Sequence, residues 1–209
     1  MDNIDIFIEK LKTTKTPNNL FNPFNDICTV HDKPNAPEIR IKNLEILLRT
    51  HLKLQTKIMW LFEAPSYLGA RRSGVPFVNE GMFEEIGYLL NTTQQFTKAT
   101  KTKAKTAMTT KMTWKVANEF NLKPLIWESL IFHPHEKDNQ LTNRKPTKKE
   151  LLKYSYLLKD VLNIIKPEKI ISVGRVAEKA SEIIGIHTKY VRHPAQGGYK
   201  EFRKQIKTL

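Results

Sequence analysis

Three stretches of this sequence close an apolar run on residues that can carry charge or move a proton: Glu63 in "MWLFEAP", Glu128 with His133 in "LIWESLIFHPH", and His193 in "YVRHP". Carboxylates and imidazoles do general acid–base and electrostatic work when they converge on one reacting group. Each also has a plainer use, since an acid at a strand end caps the following turn and a histidine there satisfies backbone groups. Glu63 leads into "APSYLGARRSGVPF", a loop rich in Gly, Pro and Arg that delivers Phe77 directly after Pro76. Phe77 reads equally as a core residue. His31, His133 and His135 raise the question of a metal, but no carboxylate spacing completes a site. Cys28 is the single cysteine, which excludes an intrachain disulfide framework and a four-cysteine zinc or iron–sulfur site. No metal and no cofactor is expected, and the cysteine usage points to the cytoplasm.

The elements that must position these residues follow from periodicity. "MDNIDIFIEKLKTTK" is a short amphipathic stretch without the apolar core of a signal peptide, and no later run is long enough to span a membrane. Residues 16 to 37, with four prolines and five asparagines, read as an extended arm packed by Phe21, Phe24 and Ile27. "EIRIKNLEILLRTHLKLQ" places Ile41, Leu44, Leu48 and Leu52 at helical spacing. "TKIMWLFEAP" is a buried strand. "NEGMFEEIGYLLN" is a helix with a capping-type start and a stripe through Met82, Ile86 and Leu89 or Leu90.

Further strands are expected at "LKPLIWESLIFHP", "PEKIISVG" and "HTKYVRHP", and further helices at "PTKKELLKYSYLLKDVLNIIK", "GRVAEKASEII" and "GGYKEFRKQIKTL". Strands alternating with helices predict one domain over residues 1–209, an α/β/α three-layer fold with a central four-stranded, mainly parallel sheet. Residues 1–37 would add a helix and an arm packed on it. In such sheets ligands bind outside the carboxyl ends of the strands, where Glu63, Glu128 and His193 all fall.

Charge supplies the second constraint. Lys and Arg number 35 against 21 acids, a net +14, which favours a polyanionic partner through counterion release and electrostatic steering. "TKATKTKAKTAMTTKMTWK" concentrates six lysines with no acid between Glu85 and Glu119. It is either a solvated loop or a flap that tracks phosphates through Lys98, Lys101, Lys103 and Lys105. DNA is the expected partner, with no membrane partner and a monomeric chain.

Four motifs in order, "FEAPSYLGARRSGVPF", "IWESLIFHPHEKDNQLTNRKPTKKEL", "SVGRVAEKA" and "RHPAQGG", resemble those of the uracil-DNA glycosylase superfamily, in particular its bacterial branch with a Glu-Ala-Pro first motif and no iron–sulfur cysteines. The resemblance covers nearly the whole chain. It implies a monofunctional DNA glycosylase, which flips a nucleotide from the duplex and cleaves the bond between base and deoxyribose. Glu63 would position or activate water and stabilise the sugar cation. Backbone N–H groups from Ala64 onward would face the base, and Phe77 would stack on it. His193 would donate to the base carbonyl oxygen as charge gathers there. Gly197 and Gly198 would admit the DNA backbone, Arg192, Arg203 and Lys204 would add phosphate contacts, and Tyr199 is a candidate wedge for the vacated stack. No lysine stands where a Schiff-base nucleophile can be assigned, so no lyase activity is expected.

The chain departs from the family pattern in places that bear on its substrate. Glu128 stands where an asparagine is usual. Asparagine accepts from uracil N3–H and donates to O4, whereas an ionised glutamate only accepts. A carboxylate suits the exocyclic amine of cytosine, so a modified cytosine of foreign or phage DNA is the expected base. A protonated Glu128 would instead donate to uracil O4, leaving a uracil-excising repair enzyme as an alternative, and a catalytically inactive reader of altered bases as another. A small-molecule α/β enzyme with an incidental basic surface is a third. Phe62 replaces the glycine that precedes the acid. Tyr67 falls near a position where a tyrosine excludes 5-methyl bases. Arg71 and Arg72 would meet phosphates, line the pocket of a bulky substituent, or lie exposed.

Overall fold

The computed structural model describes residues 1–209. Its centre is a sheet of four parallel strands, β2 (Ile58–Phe62), β3 (Leu125–Glu128), β5 (Lys169–Val173) and β6 (Lys189–Val191), in the order β3-β2-β5-β6. The strands read as near-continuous apolar runs because helices cover both faces. On one face lie α1 (Asn3–Thr13), α2 (Ala36–Lys53) and α6 (Lys148–Ile165), where Phe7 packs on Trp127 with ring centroids 6.3 Å apart. On the other lie α5 (Met108–Glu119) and α8 (Tyr199–Lys207), where Phe202 meets Trp60 edge to face at 5.7 Å. Helix α7 (Arg175–Ile184) follows β5 directly. One apolar cluster joins Ile4 of α1 to Ile206 of α8, so the first and last helices share a core.

The register carries the functional consequence. β2 and β3 pair Trp60 with Ile126, Leu61 with Trp127 and Phe62 with Glu128. Side chains alternate along a strand, so Phe62 and Glu128 emerge together on the α5/α8 side and Glu63 turns toward the α6 side. Three elements of one acidic and aromatic array are thereby split between two sides of the sheet's tip.

The arm is fixed by β1 (Leu20–Phe21), which pairs antiparallel with β4 (His133–Pro134). Phe21 and Phe24 are buried as expected, but Ile27 is 50 % exposed. The arm holds instead through polar groups: Asp32 accepts from Cys28 N–H at 2.8 Å and pairs with buried Arg40 at 2.5 Å, whose Nε donates to the Arg72 carbonyl. Leu52 is likewise 42 % exposed, in the last turn of α2, while Ile46 and Leu47 fill the core beside Leu44 and Leu48.

Two further corrections concern the segment between β2 and β3. The start of α4 (Phe83–Leu90) is a 3-10 turn, Glu80–Met82, and Asn79 does not cap it. Its Nδ2 donates to the Leu68 carbonyl and its Oδ1 accepts from Ala107 N–H, tying the first-motif loop to the start of α5. The carboxyl half of the lysine-rich stretch is not loop but α5, because Thr113, Trp114 and Ala117 bury one face.

The remaining lysine-rich loop is pinned rather than free. Buried Glu80 accepts from the N–H groups of Ala99 (2.7 Å) and Thr100 (2.9 Å) and from the Thr100 hydroxyl. Replacing Glu80 by alanine strands two buried N–H donors, at a cost on the order of 3 kcal/mol. Thermal melting should then show a midpoint lower by about 6–12 °C, and a change within error would mean the loop is held elsewhere.

Candidate active site

At the carboxyl end of the sheet, four side chains pack into one cluster on the α5/α8 side. Phe62 lies face to face with Phe77, ring centroids 3.7 Å apart and planes 24° apart. Its ring also meets the edge of His193, at 5.8 Å and 79°. Glu128, its register partner, completes the group. Three of the residues singled out in the sequence, Phe77, Glu128 and His193, are therefore brought together, and Phe62 stands among them.

Phe77 holds φ +55°, the left-handed region, where a bulky residue costs on the order of 1–3 kcal/mol. The Trp114 indole N–H donates to its carbonyl at 3.1 Å, and the stacked ring holds it from the other side. Strain of this kind survives where surrounding structure enforces it, and it aims the ring into the cluster.

Glu128 is 2 % exposed, and its Oε2 has no hydrogen-bond partner. Burial pushes its carboxyl well above the usual carboxylate range, opposed only by the Phe77 backbone N–H. Burial thus favours the protonated form, which donates through one oxygen and accepts through the other. This changes the acceptor-only behaviour expected of an ionised glutamate. His193 accepts from Ala195 N–H at Nδ1, 3.2 Å, which leaves the ring proton on Nε2 as a donor. Burial, with Arg192 nearby, holds its pKa below the ordinary value, so the ring stays neutral.

Two glycines build the backbone around this histidine. A Cβ on Gly174, at φ +91°, would stand 3.0 Å from His193 Cβ. A Cβ on Gly198 would stand 2.0 Å from the His193 carbonyl oxygen, so no other residue fits there. Gly198 thus serves the loop itself, while Gly197 is exposed and a Cβ there would meet nothing within 4 Å.

Glu63 lies in a separate small cavity of about 280 Å³, with Ala64, Pro65, Ser66, Asn143, Arg144 and Lys145. Burial raises its pKa and the Lys145 ammonium pulls the other way. The wall opposite Glu63 is the loop before α6. Asn143 Oδ1 accepts from Tyr67 N–H at 2.8 Å and approaches His133 Nε2 at 3.2 Å. Arg144 pairs with Glu150 at 2.6 Å. The largest cavity, about 940 Å³ and lined by Phe83, Tyr88, Phe96 and Asn118 among others, contains none of the residues that carry chemistry.

The other candidates divide. Arg71, on the short helix α3 (Ala70–Ser73), is 2 % exposed, donates to the Gln140 carbonyl and lies 4.1 Å from the Phe21 ring centroid. Arg72 is buried too, and its Nε donates to the Tyr67 carbonyl at 3.0 Å. Neither is the solvent-facing phosphate contact expected from the sequence; both brace the loop that carries Tyr67. Arg203 is committed to Glu119 on α5. Arg192 is half-buried, its backbone N–H bonded to Gln205, and Tyr199 opens α8 half-buried against the core. Lys101, Lys103 and Lys105 are exposed and Lys98 half-exposed. None of the four forms an ion pair, although Lys101 reaches the Thr29 carbonyl at 2.9 Å. His133 is buried with a pKa pushed down to about 3 and donates from Nε2 to the Thr142 carbonyl.

Asn143, Lys145 and Trp114 were not singled out by the sequence. The first two lie in a polar loop with no periodicity; the bond from Tyr67 N–H places Asn143, and the cavity beside Glu63 places Lys145.

No protein-family model matches the chain, and no curated protein sequence matches it. Among solved structures it is similar to wild-type SMUG2 of Pedobacter heparinus, with a TM-score of 0.60 at 14 % identity over 100 % of this chain and 98 % of that one. SMUG2 is a member of the uracil-DNA glycosylase superfamily. The chain therefore has a uracil-DNA glycosylase-like fold, and no helix in it is long and apolar enough to cross a membrane.

Proposed function

We propose that this protein is a monofunctional DNA glycosylase that turns a pyrimidine nucleotide out of the duplex and hydrolyses its N-glycosidic bond, leaving an abasic site. The observation that carries the reading is the convergence of strained Phe77, buried Glu128 and the Nε2–H of His193 at the carboxyl end of the sheet, with Glu63, the residue after Phe62, in a neighbouring cavity on the α6 side of the same end. Cleavage puts positive charge on the sugar and negative charge on the departing base. Glu63 answers the first as a carboxylate beside the sugar, orienting the water that attacks C1′. His193 answers the second by donating to the base oxygen, and Phe77 offers a face for stacking.

Glu128 reads the base edge. As a neutral acid it accepts from an exocyclic amine and donates to ring N3 of cytosine, or accepts from N3–H and donates to O4 of uracil. The protonated acid pairs with either edge, so a modified cytosine of foreign DNA and uracil are both substrates of this reading, and the proton on Glu128 does not choose between them. The test is a panel of duplexes carrying uracil, 5-hydroxymethylcytosine or its glucosylated form, incubated with the protein and heated in alkali. Strand breaks at the altered base support the proposal. Binding without breaks supports an inactive reader, a second reading favoured by the aromatic ring that already lies on Phe77.

DNA binding is assigned to the unpaired lysines. Alanine at Lys98, Lys101, Lys103 and Lys105 together should flatten the slope of log K against log salt by up to about 0.9 for each phosphate no longer neutralised. An unchanged slope removes this loop from the interface.

A further inference from the structure

The geometry points to Phe62 as a plug, a side chain that occupies the place of the extruded base and must be displaced before any base can bind. This inference rests on the glycosylase reading of the same site. The ring of Phe62 lies 3.7 Å from Phe77, the separation of stacked flat rings, and its edge contact with His193 and its pairing with Glu128 surround it with the groups assigned to a nucleobase. A phenyl ring and a pyrimidine are six-membered, planar and of similar size, so one occupies the space of the other.

Packing alone does not explain the arrangement. A cluster built only as core has no use for a buried carboxyl oxygen without a partner, nor for a left-handed phenylalanine. Glu128 Oε2 and the Nε2–H of His193 are suited to a ring with polar edges, and Phe62 presents them with hydrocarbon.

A plug sets a threshold that every base must meet. A base that displaces Phe62 exchanges one stacked ring on Phe77 for another, so stacking contributes little to net affinity. Discrimination falls on the hydrogen bonds at the edge and on contacts made by a substituent. The affinity of every base is scaled down alike by the fraction of molecules in which the plug is open, so a base without the extra contacts of a substituent binds weakly and no steric wall is needed against it.

Calorimetric titration of free cytosine, uracil and 5-hydroxymethylcytosine into the wild-type protein, Phe62→Ala and Phe62→Leu tests this without requiring catalysis. The alanine variant should bind each of the free bases about tenfold or more tightly than wild type while the ratios among them stay the same, because opening the plug is a cost common to all. The leucine variant, which keeps apolar bulk but no flat face, should fall between. Should alanine fail to give a cooperative melt, the leucine variant decides alone by the same sign. A folded variant that binds no tighter than wild type overturns the plug. Tighter binding by the variants together with no strand breaks from wild type keeps the plug and removes the glycosylase. Strand breaks from wild type with no gain in the variants does the reverse.

Discussion

Glu63→Ala is expected to lower the single-turnover rate of base release from the preferred duplex by about 10²–10⁴-fold, the range over which a positioned acid–base group acts. Affinity for the duplex should hardly change, because Glu63 lies in its own cavity and not among the residues assigned to the base. The charge is the active property. Burial raises the Glu63 pKa against the pull of Lys145, and only the ionised form stabilises a sugar cation. The wild-type rate should therefore rise with pH through a midpoint above the ordinary glutamate value and then level off, and this limb should be absent from Glu63→Ala. Glu63→Gln keeps the shape without the charge and should lose as much as alanine. A loss of only a few-fold, or a glutamine variant near wild type, would reduce Glu63 to the cap of a turn.

The parts of this site that were legible in the sequence, and those that were not, separate along physical lines. Apolar runs ending in Glu63, Glu128 and His193 located the strand tips because a sheet covered on both faces demands continuous burial. The relative placement of the acids was hidden, since it depends on the pairing of Phe62 with Glu128, a register set between strands far apart in the chain. Arg71 and Arg72 read as surface cations because their surroundings come from elsewhere: Arg71 meets Gln140 and the Phe21 ring, both from distant segments, and Arg72 turns back onto its own loop at Tyr67. α5 was obscured by its lysines and threonines, whose exposed faces outweigh Trp114 and Ala117 in any average. Phe62 read as the last residue of an apolar strand. Nothing local announces that a loop with a left-handed residue returns Phe77 onto its ring.

Replacing Glu128 by glutamine is expected to remove a pH dependence from both stability and base choice. The folded protein holds the Glu128 proton to a pH well above the ordinary glutamate range, because burial disfavours the carboxylate. Above that ordinary range the unfolded chain releases a proton that the native state retains. Fewer protons bound in the unfolded state means that stability falls as pH rises, by about 1.4 kcal/mol per pH unit for a single group, until the folded carboxyl itself ionises. The wild-type melting temperature should decline across this window by about 2–4 °C for each kcal/mol, and the decline should be shallower in Glu128→Gln; parallel profiles would show that Glu128 is not the group responsible. The same proton governs recognition. While Glu128 is neutral it can donate to uracil O4 or to cytosine N3, and once ionised it can only accept, which disfavours uracil relative to a base with an exocyclic amine. The ratio of rates on amino-bearing and uracil duplexes should climb with pH in the wild type and stay flat in the glutamine variant, whose amide keeps both a donor and an acceptor at every pH. A wild-type ratio independent of pH would move base-edge reading away from Glu128.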